Sequence, residues 1–344
     1  MRILLLGGTG FVGRHVVQCL SDAGHSLAVF HRGRTSSGLP ASVQEIPGDR
    51  RQLSSSIDQF REFAPEVVVD LIAYTDADLF ATLDVFKGLS KRLVVISSMD
   101  VYRAYGRFLG ADSSSPNPLP HTETSELRTS LYPYRAQATD MNDLLYNYEK
   151  NLVERAVLNQ TDIPSTVLRL PCVYGPGDRH HRLFEYLKRM DDRRPAILLS
   201  TSRAAWRWTR GYVGNVADAI ALAATDERAT GQVFNVGDEK ALAEAEWIEA
   251  IGRAAGWKGR VQVIAEADLP SHLKTSLDWR HDLVGDTRKL RRELGYREPI
   301  SFEEGMTKSV AWQRAHPPAA FDSKLFDYAA EDAVLSRVMG GGRE

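Results

Sequence analysis

The sequence predicts an α/β fold in which helices cover both faces of a parallel β-sheet. Two observations lead to this class. Unbroken apolar runs such as VVVDLI (67–72) and LVVIS (93–97) are typical of strands that are buried on both faces. These runs alternate with helical patterns along most of the 344 residues, which is the order of elements in a sheet built from βαβ units.

The apolar runs and the helical periodicity place the elements in chain order. The predicted strands are Ile3–Leu6, Leu27–His31, Val43–Ile46, Val67–Leu71, Leu93–Ser97, Thr166–Leu170 and Val233–Val236. The predicted helices are Phe11–Ala23, Leu53–Phe63, Asp76–Leu89, Thr139–Gln160 and Val216–Ala224. Residues 103–138 carry Ser, Pro, Gly and charged side chains without a sustained period. We expect this segment to be a lid or a substrate-contacting loop, with plain disorder as the alternative.

The composition excludes several classes of protein. The net charge is −2, so we expect no nucleic-acid partner and no anionic membrane surface as partner. No stretch reaches the roughly 18 consecutive apolar residues of a membrane helix, and the N-terminal run enters a glycine turn instead of a cleavage site. Cys19 and Cys172 form no metal or disulfide pattern, and His180 and His181 lack a third ligand nearby, so no metal site is predicted. We therefore expect a cytoplasmic protein.

A glycine-rich turn connects the first predicted strand to the first predicted helix. In GGTGFVG, Gly7, Gly10 and Gly13 recur every three residues. Glycine allows the tight turn, the close approach of the backbone to a pyrophosphate and the close packing of helix on strand. The helix N-terminus then offers free N–H groups to the phosphates. The turn predicts a dinucleotide cofactor, rather than a purely structural strand–helix connection.

The end of the second strand bears on which dinucleotide is bound. NAD sites usually carry Asp or Glu there to bind the ribose 2′-hydroxyl. This strand ends VFHRGR, which has no carboxylate but supplies Arg32 and Arg34. A guanidinium suits a 2′-phosphate, so the sequence favours NADP over NAD, unless these arginines are simply solvated. Asp49, after the third strand, is a candidate acceptor for the adenine amino group.

Several motifs in this order resemble the extended short-chain dehydrogenase/reductase family of epimerases, dehydratases and reductases. They are the turn GGTGFVG, the strand end VVISSMDVY, the helix YNYEKNLVE, the segment LRLPCVYGPGD, and the later VFNVGD and DTRKLRRELGY. The resemblance covers nearly the whole chain. It implies a Rossmann-type doubly wound parallel sheet with a smaller C-terminal substrate domain. We expect the first domain over 1–172, with a later strand near 233–236 returning to it, the second over 173–330, and a mobile tail over 331–344.

The resemblance also implies a catalytic set. Tyr146 and Lys150 match the family's Tyr-x-x-x-Lys pair, and on one helix they would lie only about 40° apart. Tyr146 would then be the general acid/base, while Lys150 lowers the pKa of the phenol and binds the nicotinamide ribose. Ser98 aligns with the family's catalytic hydroxyl, with Ser97 as the near alternative. The implied cofactor contacts are Gly7, Gly10, Phe11, Val12, Gly13, Arg32, Asp49, Tyr146 and Lys150.

Departures from the family pattern bear on the substrate. Met99 and Asp100 stand where the dehydratases carry an acid pair, which argues against elimination of water. Cys172 replaces the Asn that contacts a sugar diphosphate, so a nucleotide sugar is less favoured. Arg207 and Arg210 could hold a phosphate or could equally pair with acidic residues. The implied substrate-binding residues are Ser98, Cys172, Arg207 and Arg210.

Together these features predict an NAD(P)-dependent oxidoreductase or epimerase that transfers a hydride at a secondary alcohol or ketone of a small molecule. The substrate classes expected are a sugar, a nucleotide sugar or a natural-product intermediate. One alternative is a stand-alone NADPH-dependent ketone reductase. Another is a non-catalytic RNA- or ligand-binding protein on the same fold. Since the family commonly dimerises through two helices of each subunit, we expect a homodimer through the helices predicted at 76–89 and 139–160.

Overall fold

The protein is built around one seven-stranded sheet. The computed structural model describes residues 1–33, 38–116 and 118–340. The strands are β1 Arg2–Leu6, β2 Ser26–His31, β3 Gln44–Pro47, β4 Val67–Asp70, β5 Arg92–Ser98, β6 Ser165–Leu170, β7 Cys172–Tyr174, β8 Ala196–Ser200, β9 Arg210–Tyr212, β10 Val233–Asn235 and β11 Arg260–Ile264. The sheet runs in the order β10-β6-β5-β4-β1-β2-β3, and each neighbouring pair is parallel. Two small parallel pairs, β11-β8 and β7-β9, lie outside it.

Helices connect the strands and cover the sheet. They are α1 Phe11–Asp22, α2 Ile57–Phe63, α3 Asp76–Phe86, α4 Arg103–Phe108, α5 Leu144–Asn147, α6 Lys150–Leu158, α7 Phe184–Asp191, α8 Thr201–Ala205, α9 Val213–Thr225, α10 Glu244–Ala255, α11 Arg288–Leu294, α12 Phe302–Ala315 and α13 Tyr328–Gly340. Short 3₁₀ helices occupy Arg50–Ser56, Met99–Val101, Arg135–Gln137, Glu227–Ala229, Glu266–Asp268, Ser271–Leu273 and Ser323–Phe326. No helix in the described ranges is both long and apolar enough to cross a membrane.

All seven predicted strands lie in this one sheet, each within one residue of its predicted ends. Alternate residues of the central strands belong to two separate apolar clusters. Leu5 and Val29 pack with the cluster that includes α1 and α9, whereas Leu4 and Val68 pack with the cluster that includes α2, α3 and α6. Both faces of the sheet are therefore buried, which is the physical reason that the strands appear as unbroken apolar runs. The predicted Rossmann-type parallel sheet is confirmed.

The helices follow the prediction less closely. α1 and α3 begin where predicted, α9 begins three residues earlier, and the segment predicted as one helix over 53–63 contains a 3₁₀ turn followed by α2. α3 begins with a capping box in which Thr75 and Asp78 satisfy each other's backbone N–H groups. The helix predicted over 139–160 is wrong as a single element, because two short helices, α5 and α6, occupy that segment.

The C-terminal segment is a docked helix up to its last described residue. α13 places Val334 and Leu335 in a small apolar cluster with Ala196 and Leu198. Its Glu331, which is 1% exposed, accepts a hydrogen bond of 2.8 Å from the guanidinium of Arg189. Residues 331–340 therefore belong to a helix and not to the expected mobile tail, and 341–344 lie outside the described residues. β10 does return to the sheet beside β6, while the division into two domains stays a prediction.

The predicted dimer surface is partly visible in the exposure of its helices. α3 and α6 pack side by side, and each presents a large apolar side chain outward. Phe80 on α3 is 52% exposed and Leu158 on α6 is 50% exposed. A homodimer through this surface stays a prediction.

The ion pair between Arg189 and Glu331 yields a test of how α13 is held. Removing one partner of a buried ion pair leaves an uncompensated charge, so Glu331→Gln should lower the free energy of unfolding by about 3 kcal/mol. Asp332→Asn is the matched control, because Asp332 is 56% exposed where it pairs with Arg194 and should contribute below about 1 kcal/mol. Denaturant unfolding measures both. Equal effects of the two variants would contradict the anchoring role of Glu331.

Candidate active site

The glycine turn has the geometry that a dinucleotide phosphate requires. Gly7 adopts φ +93°, and a Cβ there would lie 2.4 Å from Cγ2 of Ile72. A Cβ on Gly13 would lie 2.6 Å from the carbonyl oxygen of Gly7. Gly10 caps α1 without a side chain, and the first turn of α1 carries no acidic residue. The first N–H groups of α1 are thus left for an anionic ligand, which suits a phosphate.

A cleft of about 830 Å³ begins at this turn, and four of the nine predicted cofactor residues line it. Gly7, Gly10, Arg32 and Asp49 line it. Arg32 is exposed and makes no hydrogen bond or ion pair within the described residues. Asp49 accepts hydrogen bonds from the backbone N–H and the guanidinium of Arg51, which lower the pKa of Asp49 to about 2. Asp49 would therefore meet an adenine amino group as a carboxylate that is already shared with Arg51.

The remaining predicted cofactor residues are placed differently. Phe11 and Val12 begin α1, and Phe11 lines a neighbouring cavity together with Arg14 instead of the large cleft. Arg34 lies outside the described residues. The set that the structure brings together around the cleft is thus smaller than the predicted one.

The helix that was predicted to carry Tyr146 and Lys150 together is broken between them. α5 ends at Asn147, and the backbone of the next two residues is extended, with ψ 119° at Tyr148 and 95° at Glu149. Glu149 then caps α6 by accepting a 2.8 Å hydrogen bond from the N–H of Asn151. The prediction that Tyr146 and Lys150 share one helical face is therefore wrong.

Tyr146 points away from the site as a result of this break. Its ring lies 4.7 Å from the guanidinium carbon of Arg135, which also donates a 2.9 Å hydrogen bond to the Tyr146 carbonyl. Tyr146 lines neither the cofactor cleft nor the cavity that contains Ser98. The structure therefore does not bring Tyr146 together with Ser98.

Tyr148, two residues later, points into the site that was predicted for Tyr146. Its hydroxyl donates a 3.0 Å hydrogen bond to Oδ2 of Asp100. Burial and the nearby charge of Asp100 raise the pKa of Tyr148 well above that of a free tyrosine, while a hydrogen bond with Ser98 opposes the rise. Tyr148 is thus a protonated phenol beside Ser98. On the continuous helix that the sequence predicted, Tyr148 and Lys150 would lie on different faces, whereas the extended backbone at Tyr148 and Glu149 places them on the same side.

Ser98 and Tyr148 line a cavity of about 620 Å³. This cavity shares Tyr74 and Leu144 with the cofactor cleft, so the two adjoin. Cys172 lines it as predicted for a substrate-binding residue, and burial raises the pKa of its thiol. Ser97 instead donates to Glu154 at 2.5 Å inside the protein, which leaves Ser98 as the serine in the cavity. The aromatic side chains of the wall are Tyr74, Tyr102, Tyr105, Tyr134, Tyr148 and Trp208.

Lys150 lies beneath this cavity instead of lining it. Its ammonium donates to the carbonyls of Ala73 and Ile96 at 2.7 and 2.8 Å, just beyond β4 and inside β5. It lies 4.9 Å from the ring centroid of Tyr74 and 5.8 Å from that of Tyr148. Burial lowers the pKa of Lys150 to about 8. The ammonium therefore joins the segment after β4 to β5 and places a charge near Tyr148. Its predicted contact with a ribose stays a prediction.

The two arginines predicted to bind substrate lie away from the cavity. Arg210 is buried and pairs with Glu244, and its guanidinium carbon lies 4.4 Å from the ring centroid of Trp247. Arg207 is exposed and lines a different cavity with Pro120 and Asp286. Of the two alternatives left open for Arg210, pairing with an acidic residue is what the structure contains.

The segment 103–138 forms one wall of the cavity in its described part. It begins with α4 and supplies Tyr105, His121 and Tyr134 to the lining. The buried ion pair between Arg128 and Glu149, 3.0 Å long, holds it against the break between α5 and α6. The described part of the segment consists of α4 and a 3₁₀ turn joined by irregular backbone, much of it exposed, and its predicted contact with substrate stays a prediction.

Comparison with known proteins gives the family. The model of the NAD-dependent epimerase/dehydratase family matches residues 3–237, about two thirds of the chain. This chain belongs to the NAD-dependent epimerase/dehydratase family. The family members that it resembles are NAD-dependent epimerases, dehydratases and reductases, so the chain is an enzyme of the extended short-chain dehydrogenase/reductase type.

Individual relatives are distant. The 2′-dehydrokanamycin reductase of Streptomyces kanamyceticus is 27% identical over 74% of this chain and 67% of the relative. The dTDP-glucose 4,6-dehydratase of Salmonella typhimurium is 23% identical over 92% of this chain and 93% of the relative. The UDP-glucose 4-epimerase of Thermus thermophilus, solved with NAD, superimposes with a TM-score of 0.64 at 22% identity, over 92% of this chain and all of that one. The last comparison concerns the fold alone.

The buried ammonium in this epimerase/dehydratase family member yields a pH prediction. Lys150 has a pKa of about 8 in the folded protein, whereas a lysine in an unfolded chain has a pKa near 10.4. Between these values the unfolded chain binds more protons at this lysine, so Lys150 should contribute a rise in the free energy of unfolding with pH of up to about 1.4 kcal/mol per unit. The buried thiols of Cys19 and Cys172, whose pKa values are raised, contribute a fall that is common to all variants compared. In Lys150→Met the rise from the lysine should be absent. Urea unfolding between about pH 8 and 10 measures it.

Lys240→Met is the control, because Lys240 is 71% exposed and should leave the rise intact. A rise of the same size in Lys150→Met would show that another group causes it.

Proposed function

We propose that this enzyme transfers a hydride reversibly between NADP and a secondary alcohol or ketone of a small hydroxylated molecule, with Tyr148 as the proton donor. The observation that supports this most directly is the position of the Tyr148 hydroxyl. It lies with Ser98 in a cavity that adjoins the cofactor cleft across Tyr74 and Leu144. A reacting carbonyl in that cavity would meet a hydroxyl that can orient it and a phenol that can protonate it.

The chain's own groups have distinct tasks in this reaction. NADP, when bound, supplies or accepts the hydride. Ser98 holds the substrate oxygen by a hydrogen bond, and Tyr148 transfers to that oxygen the single phenolic proton that it donates to Asp100 in the free enzyme. Tyr134 and Tyr148 both donate to Oδ2 of Asp100, at 2.9 and 3.0 Å, so Asp100 orients the phenol that reacts. The ammonium of Lys150 favours the phenolate that remains after the proton has left.

The substrate class follows from the cavity and from the relatives. The two similar enzymes act, by their names, on a kanamycin derivative and on a nucleotide-linked glucose. In this chain Cys172 lines the cavity, and Arg210 is engaged by Glu244. These features favour a sugar or natural-product intermediate over a nucleotide sugar. A screen of ketones and nucleotide sugars with both cofactors tests the substrate class.

Two tyrosines only two residues apart make the proton donor testable. Tyr148→Phe keeps the ring and removes the proton, so turnover should fall by about 10²–10⁴-fold. Tyr146→Phe is the matched control and should retain nearly all activity, since its ring contacts Arg135 outside the cavity. Steady-state rates on the substrate found by the screen measure both. A large loss in Tyr146→Phe with none in Tyr148→Phe would return the role to Tyr146.

The same site serves an epimerase or a reductase, and the fate of the cofactor separates them. An epimerase keeps its cofactor through oxidation and reduction, whereas a reductase exchanges it in every turnover. The cofactor content of the purified protein, measured by absorbance after denaturation, distinguishes the two.

We also propose that NADP is preferred over NAD, because the exposed guanidinium of Arg32 lines the cleft and makes no hydrogen bond or ion pair with the described residues, although its charge acts on Asp49 nearby. Arg32→Ala should weaken NADP binding by about tenfold, or ~1.4 kcal/mol, and should leave NAD binding unchanged. Arg61→Ala, which removes an exposed guanidinium from α2, is the control. Titration calorimetry with both dinucleotides measures the effect. Equal affinity for NAD and NADP in the unmodified protein would refute the preference.

A further inference from the structure

A buried histidine lies in the wall of the substrate cavity. His121 is 2% exposed and lines the cavity that contains Ser98 and Tyr148. Neither ring nitrogen makes a hydrogen bond of ordinary geometry with the described residues, although the backbone carbonyl of Asp282 lies close enough to the ring to raise the pKa of His121. Buried polar atoms are nearly always paired, so a buried ring nitrogen without a hydrogen bond calls for an explanation.

The position of this ring is set without using its nitrogens. The His121 N–H donates to the carbonyl of Val284 at 2.7 Å, and the His121 carbonyl accepts from the N–H of Asp286 at 2.7 Å. The amide of Asn235 donates to the same carbonyl at 3.0 Å. The imidazole stacks on Tyr102, with ring centroids 5.3 Å apart and an interplanar angle of 26°. The backbone and the ring face thus hold His121 in place, and the nitrogen that does not face the carbonyl of Asp282 stays available to a ligand.

The charge state of His121 indicates what kind of ligand group fits. Burial lowers the pKa of His121, and the carbonyl and charge of Asp282 offset this only in part. The imidazole is therefore neutral at neutral pH, with one N–H donor and one acceptor nitrogen. The carbonyl of Asp282 can only accept, so the N–H faces it and the other nitrogen is the free acceptor. A hydroxyl can donate to that nitrogen, whereas a phosphate or carboxylate offers only acceptors.

A second unpaired atom lies in the same cavity. Asp100 is 5% exposed, and its Oδ1 has no hydrogen-bond partner in the described residues, although Oδ2 accepts from two tyrosines. This oxygen would accept from a further hydroxyl or amino group of a ligand. The cavity wall thus contains two acceptors, one nitrogen of His121 and Oδ1 of Asp100, that form no hydrogen bond with the described residues.

We propose that His121 is a substrate-recognition residue that binds a hydroxyl of a polyhydroxylated substrate, with Oδ1 of Asp100 accepting from a neighbouring hydroxyl or amino group. The proposal rests on the proposed function and names the substrate class of its site. It also accounts for the unpaired nitrogen, since a ligand hydroxyl donates to it. Such groups lower the stability of the free protein and are retained where function needs them.

The test uses the opposite signs of the expected effects on stability and on binding. His121→Phe keeps the stacking on Tyr102 and removes both ring nitrogens, so the melting temperature of the substrate-free protein should rise by about 2 °C. Affinity of the NADP-loaded protein for methyl α-D-glucopyranoside, a neutral polyol probe, should fall by about tenfold, the loss typical of one hydrogen bond. His121→Asn, which keeps a donor and an acceptor, should retain most of that affinity.

Thermal unfolding and ligand-observed NMR titration measure these effects, with inorganic phosphate as the anionic probe. A lower melting temperature for both variants, unchanged pyranoside affinity in His121→Phe, or binding of phosphate in preference to the pyranoside overturns the proposal. Tyr148→Phe separates it from the proposed function. That variant should lose turnover while its pyranoside affinity stays within about threefold of the unmodified protein, since Ser98 and His121 still hold the ligand.

Discussion

The buried ion pair between Arg128 and Glu149 is the interaction on which the geometry of the site depends. Both side chains are fully buried. Arg128 also donates to the carbonyls of Asp100 and Ser130, while Glu149 accepts from the N–H groups of Tyr132 and Asn151. One pair thereby joins the segment 103–138, the start of α6 and the backbone of Asp100, just after β5. Removing either partner would leave an uncompensated buried charge, so the two residues are needed together.

The consequence of this pair is the extended backbone at Tyr148. A continuous helix would leave Glu149 without its cap contact and would turn the phenol of Tyr148 away from Asp100. With the helix interrupted, the Glu149 N–H donates to the carbonyl of Tyr74, and the Tyr148 ring packs between Tyr74 and Tyr134. A structural ion pair thus determines that Tyr148, and not Tyr146, lines the cavity, although neither member of the pair lines it.

Burial keeps the phenols of this site protonated, whereas in a lysine-activated site the tyrosine would be a phenolate. The pKa values of Tyr134 and Tyr148 are raised by burial and by the charge of Asp100, and that of Asp100 is raised by burial. The phenols are therefore proton donors in the free enzyme. The ammonium of Lys150 is engaged by two backbone carbonyls. It stabilises negative charge only once a proton has left, which fits a site that reduces a carbonyl or regenerates an alcohol.

The amino-acid sequence alone predicts the sheet and the glycine turn, whereas Ser98 was implied by the family resemblance. Strands buried on both faces must be apolar throughout, and Gly7 and Gly13 have no room for a side chain, so local sequence specifies these features. The break in the helix between Tyr146 and Lys150 depends on the pairing of Glu149 with Arg128, which lies 21 residues earlier in the chain. The burial of Arg210 depends likewise on its pairing with Glu244, 34 residues away. Helical periodicity reports only on residues three or four apart, so it does not predict a partner at such a distance in the chain. Only the tertiary structure brings these charges together, and burial makes their pairing obligatory.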